Sequence, residues 1–340
     1  MLCDSCFNDK FLSDQIKELS SGSVSQCTYC NSTNVRVLDE TAMTDTVSSI
    51  LSLYSPSVTE EAKELHYFLK KDWSLLKNVD DANCRILLDK IFPEQNPSNL
   101  RFVSKQAPNK KSNLWDEFQL ELKHKNRFFP VNKIEVEDLK NLFSFLILKD
   151  NPSSFFRARV CEDKTKYPID RMGKPPEKWV RNGRANPVGI SYLYTASAMD
   201  TAISEVRPHV GDYVTIAQFN SNRPLVLLDL RDPRETISPF AIEEEELLDL
   251  LNELEYLCKL GEQLSKAILP KEADLEYLGS QYLCEMIKHF NYDGVVYRSS
   301  MGHGFNIALF DDSKLQPQGD TQIYKVNTVN YSSIEIISPE

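Results

Sequence analysis

Two Cys-x-x-Cys pairs, Cys3 with Cys6 and Cys27 with Cys30, stand twenty residues apart at the start of the chain. No other feature limits so firmly what its segment can fold into. Pairs at this spacing bring four thiolates to the corners of one tetrahedron, which suits Zn²⁺. A redox role needs only one pair, set at the strand-to-helix junction of a βαβ unit. Four protein ligands leave no open position for water or substrate, so the expected metal is structural. It folds a ribbon too short for a core of its own. The spacing predicts a four-cysteine zinc ribbon over residues 1–38, with Cys3, Cys6, Cys27 and Cys30 as ligands. The other cysteines, Cys84, Cys161, Cys258 and Cys284, are scattered and expected in the core.

The compartment follows from similar reasoning. The chain opens on Cys3, Asp4, Ser5 and Cys6, not on a basic-then-apolar leader. No stretch nears the ~18 apolar residues of a membrane span. The longest, Leu142 to Leu148, is broken by Ser144. A cytoplasmic location with reduced thiols is expected, and no membrane. The formal net charge of −11 argues against a broad basic face, so nucleic acid is not an expected partner. With 340 residues, the length allows two or three domains.

Residues 39–150 read as a mostly helical domain. Thr59 is placed to cap a helix bearing Ala62, Leu65 and Phe68. Asp80-Asp81 opens another with Cys84, Leu87, Leu88 and Ile91 at helical spacing, and Val136 to Leu148 repeats the pattern. Asn96 to Asn113 is polar, contains Pro97 and Pro108, and reads as loop. From 151 to 340 short apolar or alternating runs predict strands over Phe155 to Val160, Ile190 to Thr195, Tyr213 to Phe219, Leu225 to Leu230, Gly294 to Arg298 and Phe305 to Phe310. Thr321 to Val326 and Ser332 to Ile337 are expected as closing strands. Helices are expected from about Ile242 to Ala267 and Tyr277 to Phe290. The first opens on Glu243 to Glu246, a charge run that suits a helix N-terminus and needs no site to explain it. Strands and helices without regular βαβ alternation predict an α+β fold.

The chemistry concentrates in this second part. Ten of the 11 glycines lie there, where loops need backbone freedom. Residues 157–184 hold nine Lys or Arg against four acids. Such a loop fits a pyrophosphate held by arginine forks. It fits equally well a solvated loop whose charges pair elsewhere. A strand-like run through Tyr194 follows, then a short helix from Thr201 bearing Glu205 and stopped by Pro208. By themselves Tyr194 reads as a core aromatic and Ser299 as a turn serine. The Arg-x₄₋₆-His pattern of a helical ribonuclease is absent from 39–150, and its one match, Arg298 with His303, falls in a strand and loop.

The ordered pieces are Phe156-Arg157-Ala158-Arg159, Gly173-Lys174-Pro175-Pro176, Gly183-Arg184-Ala185-Asn186-Pro187-Val188-Gly189-Ile190, Leu193-Tyr194-Thr195-Ala196 and Ala202-Ile203-Ser204-Glu205-Val206-Arg207. Gln281-Tyr282-Leu283, Tyr292-Asp293-Gly294-Val295, Arg298-Ser299-Ser300 and Asn306-Ile307-Ala308-Leu309-Phe310 complete them. From about Ser154 to Phe310 this pattern resembles the RES domain, named for its Arg, Glu and Ser. The cysteine ribbon resembles the N-terminal region of longer RES proteins. The resemblance implies a fold related to ADP-ribosyltransferases, with NAD⁺ as substrate. It also implies a toxin, often paired with an antitoxin. Carried over by position, the family arginines fall on Arg157 and Arg184, the tyrosine on Tyr194, the glutamate on Glu205 and the serine on Ser299, with Ser300 adjacent. Arg298 departs from the proline that many members have before the serine.

The expectation is an NAD⁺ glycohydrolase, with phosphate able to replace water. Glu205 would stabilise the cation forming at the ribose. Arg157 and Arg184 would grip the pyrophosphate, Tyr194 would stack on nicotinamide, and Ser299 would orient a ribose or amide group, with Asn306 as a further polar contact. The alternatives are an ADP-ribosyltransferase modifying a protein or nucleic acid, a non-enzymatic zinc-ribbon adaptor, and a Ser-His hydrolase using Ser299 or Ser300 with His303. An antitoxin or other regulatory protein, and a second copy of the chain, are the partners considered.

Overall fold

Alternating apolar residues after position 150 assemble one eight-stranded sheet in the computed structural model, which describes residues 1–20, 22, 24–132, 134–269 and 271–330. The strand expected over Ser332 to Ile337 lies outside the described residues. The chain divides into two units. One comprises residues 1–118, 132–134 and 232–259, and the other 119–131, 135–231 and 260–340.

In the first unit β1 (Leu2–Cys3), β2 (Val24–Ser25) and β3 (Val35–Leu38) form a small antiparallel sheet with β3 in the middle. Helix α1 (Lys10–Leu19) stands between the cysteine pairs, where the ribbon reading placed none. Asp9 caps it by accepting the Leu12 N–H at 2.8 Å, and Leu12 and Ile16 bury its inner face. A short helix, α2 (Thr44–Val47), precedes β4 (Tyr54–Pro56).

The expected helix start at Thr59 is wrong. Lys63 and Phe102 exchange two backbone hydrogen bonds, at 2.9 and 2.7 Å, which hold that segment extended. Helix α3 therefore begins later, as Leu65–Trp73. Helix α4 (Asp81–Ile91) is capped by Asp80 as expected. The loop expected at Asn96 to Asn113 is also corrected: Phe102–Ser104 forms β5 against β4, and α5 (Lys110–His124) follows. Asn109 caps α5 through the N–H groups of Lys111 and Ser112, and Trp115, Phe118 and Leu122 supply its buried stripe. Helix α6 (Val136–Ser144) stops short of Leu148 because Leu146 and Leu148 turn to hydrogen-bond Asp229 and Leu227.

The second unit carries β6 (Phe155–Val160), β7 (Leu193–Ala196), α7 (Met199–Glu205), β8 (Tyr213–Ser221) and β9 (Leu227–Asp229). After α8 (Pro233–Thr236) and α9 (Glu244–Ser265) come α10 (Ala273–His289), β10 (Gly294–Arg298), β11 (Phe305–Leu309), β12 (Leu315–Pro317) and β13 (Gln322–Lys325). The sheet order is β12-β8-β6-β7-β11-β10-β9, with β13 also on β8. Among the described residues, β9 with β10 is the one parallel pair. The architecture is α+β.

Period-two alternation sorts the sheet's two faces. Phe155, Leu193, Phe219, Val296 and Ile307 pack into one core cluster. Ala158, Ala196, Val214 and Ile216 face the other way, where Ala202 of α7 packs on them. The alanines among them, Ala158, Ala196 and Ala202, let α7 lie close to the sheet. Among the described residues, no helix is long and apolar enough to cross a membrane.

Candidate active site

Strands β6 and β7 pair at one position only, Phe156 opposite Ala196. Beside that pair lies a cavity of about 260 Å³. Residues 156–158 of β6 and 194–196 of β7 line it, with Ala202, Glu205, Val206, Tyr297 and Asn306. The strand register explains the grouping. Ala196, Asn306 and Tyr297 are cross-strand neighbours on β7, β11 and β10, so their side chains share a face.

Glu205 is the last residue of α7. Its Oε1 accepts the Ser299 hydroxyl at 2.6 Å and the Asn306 amide at 2.8 Å. Oε2 has no hydrogen bond among the described residues. Ser299 also accepts the Met301 N–H at 3.2 Å. Of the two adjacent serines, Ser299 is therefore the one on the glutamate. The β10–β11 loop is tied to α7 by the Thr201 hydroxyl on the His303 carbonyl, at 2.6 Å. Gly304 sits at φ +93°, and a Cβ there would lie 2.5 Å from Thr201 Oγ1. The expected departure at Arg298 leaves β10 intact through that residue, opposite Phe305.

Arg157 lies on the cavity wall with its guanidinium largely out of water. Nη1 donates to the Tyr194 carbonyl at 3.4 Å, and the buried Nε has no partner among the described residues. Burial, and then neighbouring Arg159, lower its pKa to about 10, so it stays charged at neutral pH. Tyr194 uses its hydroxyl structurally: it donates to Asn186 Oδ1 at 2.7 Å and accepts the Ala185 N–H at 2.9 Å. Burial holds its phenol above the usual tyrosine range. Gln281 closes the same loop from α10, donating to Asn182, Gly183 and Asn186.

Arg184 is not brought to the cavity. Its Nη1 donates to the Lys266 carbonyl at 2.6 Å, and the guanidinium lies 5.5 Å from the Tyr277 ring centre. Much of the basic stretch is likewise paired elsewhere. Lys166 meets Asp320 at 2.5 Å, Lys174 meets Asp312 at 3.6 Å, and Arg159 donates to the Arg171 carbonyl. The Ser-His arrangement is not formed: Ser299 donates to Glu205, and His303 is exposed. Tyr297 was missed. In an apolar strand run it reads as core, and no local signal marks a hydroxyl left without a partner.

The four N-terminal cysteines come together in the first unit, with their sulfurs all within 4.8 Å of one another. Cys3 lies 3.4 Å from Cys30, Cys6 3.3 Å from Cys27, and Cys3 3.9 Å from Cys6. A tetrahedron with Zn–S bonds of about 2.3 Å has edges of roughly 3.8 Å, so the set fits that ion. Hydrogen bonding within the cluster pushes the Cys6 thiol up and the Cys27 thiol down.

A family model described as the RES domain matches residues 156–327. No curated protein sequence matches the chain. Among solved structures, one chain from the crystal structure of the M. tuberculosis MbcT–MbcA toxin–antitoxin complex is similar, at 13% identity and a TM-score of 0.34. The match covers 56% of this chain and 93% of that one.

Proposed function

Because the chain belongs to the RES domain family, whose members process NAD⁺, we propose that it breaks the nicotinamide–ribose bond of NAD⁺ and passes ADP-ribose to water or phosphate. The observation that carries this reading is the Glu205 carboxylate, fixed on one oxygen by Ser299 and Asn306 at the wall of the cavity.

The bonding electrons leave with the nicotinamide nitrogen, which becomes neutral and needs no acid. Positive charge develops at the ribose. A carboxylate already held in place stabilises that charge with little reorganisation. Oε2 of Glu205 is the oxygen available to a ribose hydroxyl. Ser299 acts as a donor that orients the carboxylate. Arg157, charged and on the cavity wall, suits a phosphate oxygen. Arg184 serves as the second phosphate ligand once it exchanges the Lys266 carbonyl for the anion.

The test is NAD⁺ turnover with product identification. Wild type should release nicotinamide with ADP-ribose, or with its 1-phosphate when phosphate is present. Glu205→Gln should lose at least ~100-fold in kcat, the scale of one electrostatic catalytic group. Undiminished activity in that variant would remove Glu205 from the mechanism. Label appearing on a macromolecule instead would make the protein a transferase.

The cysteine cluster is proposed to hold a structural Zn²⁺ on Cys3, Cys6, Cys27 and Cys30. Four cysteine sulfurs converge in one site, and their number and spacing suit this cation. When bound, the ion supplies folding energy and no catalysis.

A further inference from the structure

The β10 tyrosine is a polar side chain at the cavity to which the proposed reaction gives no task. Tyr297 is 5% exposed, it lines the cavity, and its hydroxyl has no hydrogen-bond partner among the described residues. The Tyr192 hydroxyl is also unpartnered, but it is sealed from solvent. That of Tyr297 opens on the cavity. A hydroxyl that lines a cavity with no protein partner is a donor left for a ligand atom. Burial holds its phenol well above the usual tyrosine range, so it is a neutral donor across physiological pH.

Its place in the register indicates what it meets. Tyr297 stands opposite Asn306, which holds Glu205, and two residues before Ser299, which holds the same oxygen. It therefore borders the reacting end of the substrate. At about 260 Å³ the cavity falls below the roughly 300–1,000 Å³ of drug-sized sites, so it takes part of a dinucleotide and not the whole. At that end NAD⁺ offers ribose hydroxyls and the nicotinamide carboxamide. Glu205 is an acceptor and takes a hydroxyl. The carboxamide oxygen needs a donor. Tyr194 does not fill that role, because its proton is given to Asn186.

Resting on the NAD⁺ reading, we propose that the Tyr297 hydroxyl donates to the carboxamide oxygen of nicotinamide and so selects the leaving group. Tyr297 is a specificity-determining residue.

The experiment compares wild type and Tyr297→Phe on NAD⁺ and on the analogue whose pyridine ring lacks the carboxamide. On NAD⁺ the variant should lose about tenfold in kcat/KM, the scale of one neutral hydrogen bond. On the analogue the two proteins should be equal, because the partner is already gone. Equal activity on NAD⁺, or an equal loss on both substrates, overturns the assignment while the NAD⁺ reading stands. A wild type that does not cleave NAD⁺ overturns both. A second measurement needs no variant. In wild type, free nicotinamide should inhibit about tenfold better than pyridine, and equal inhibition counts against the proposal.

Discussion

Arg157, proposed above as a phosphate ligand, carries a cost in stability. Its charge is held mostly away from water with no carboxylate in contact among the described residues, and Asp312 is only a more distant influence. Uncompensated burial of this kind opposes folding. Arg157→Met should therefore raise Tm by about 2–4 °C, roughly 1 kcal/mol for a domain of this size. It should also raise KM for NAD⁺ about tenfold or more, through the lost phosphate contact. Calorimetry beside steady-state kinetics checks both, and a lower Tm with unchanged KM would make Arg157 a purely structural residue. The pH dependence has a defined sign. The folded-state pKa is lowered to about 10, so between there and the unfolded value the unfolded chain binds more protons. This group's contribution to stability accordingly rises as pH climbs past ~10, while anion binding, which needs the cation, falls. Asn306→Ala makes a third residue-scale case. It removes one of the two donors on Glu205 Oε1 without touching the Ser299 bond. A loss of about ten- to a hundredfold in kcat is expected, smaller than that for Glu205→Gln.

Among the elements, the β10–β11 hairpin and α7 hold the site together. Contacts between them decide whether Ser299 reaches Glu205. Gly304→Ala should be severe. It forces an alanine to φ +93° and drives a Cβ to 2.5 Å from Thr201 Oγ1, which itself bonds the same loop. A loss of about 2–3 kcal/mol in unfolding free energy is expected, with kcat falling in step. Gly302→Ala in the same loop is the control. The nearest atom to its added Cβ is Ser204 Oγ at 3.4 Å, so stability and activity should hold. Denaturant unfolding beside turnover separates the two. The strands of this hairpin were legible in sequence, since β10 matches its expected limits and β11 ends one residue short of them. Alternation bounded by turn residues is a local signal, and these segments obey it. Helix α5 was not legible: its polar surface hides a stripe of Trp115, Phe118 and Leu122, and its cap is a single asparagine. The late start of α3 was invisible for another reason. It depends on Phe102, distant in sequence, taking the backbone of Lys63.

At the scale of the whole chain, the sequence pattern of the RES family places Glu205, Ser299 and Asn306 within one constellation, and the structure joins them by hydrogen bonds. The basic stretch left two readings open, because part of its charge is answered by acids far along the chain, such as Asp320 and Asp312. The position of Arg184 away from the cavity was likewise not legible, since the carbonyl it bonds belongs to Lys266. Cysteine spacing needed no such help: four thiolates at fixed intervals have few ways to converge. That cluster lies wholly in one structural unit, and the residues lining the cavity lie wholly in the other. Metal loss should therefore separate from catalysis. Wild type is expected to carry one zinc per chain, and Cys27→Ser to carry none. Hydrogen exchange in the variant should rise over residues 1–38, because a structural ion would be the main source of order there. Turnover of NAD⁺ at 25 °C should stay within about twofold, because no cavity residue is a ligand or a neighbour of one. Activity falling in proportion to metal content would assign the ribbon a part in catalysis. Exchange unchanged after metal loss would mean that the small β-sheet and α1 hold the segment without the ion.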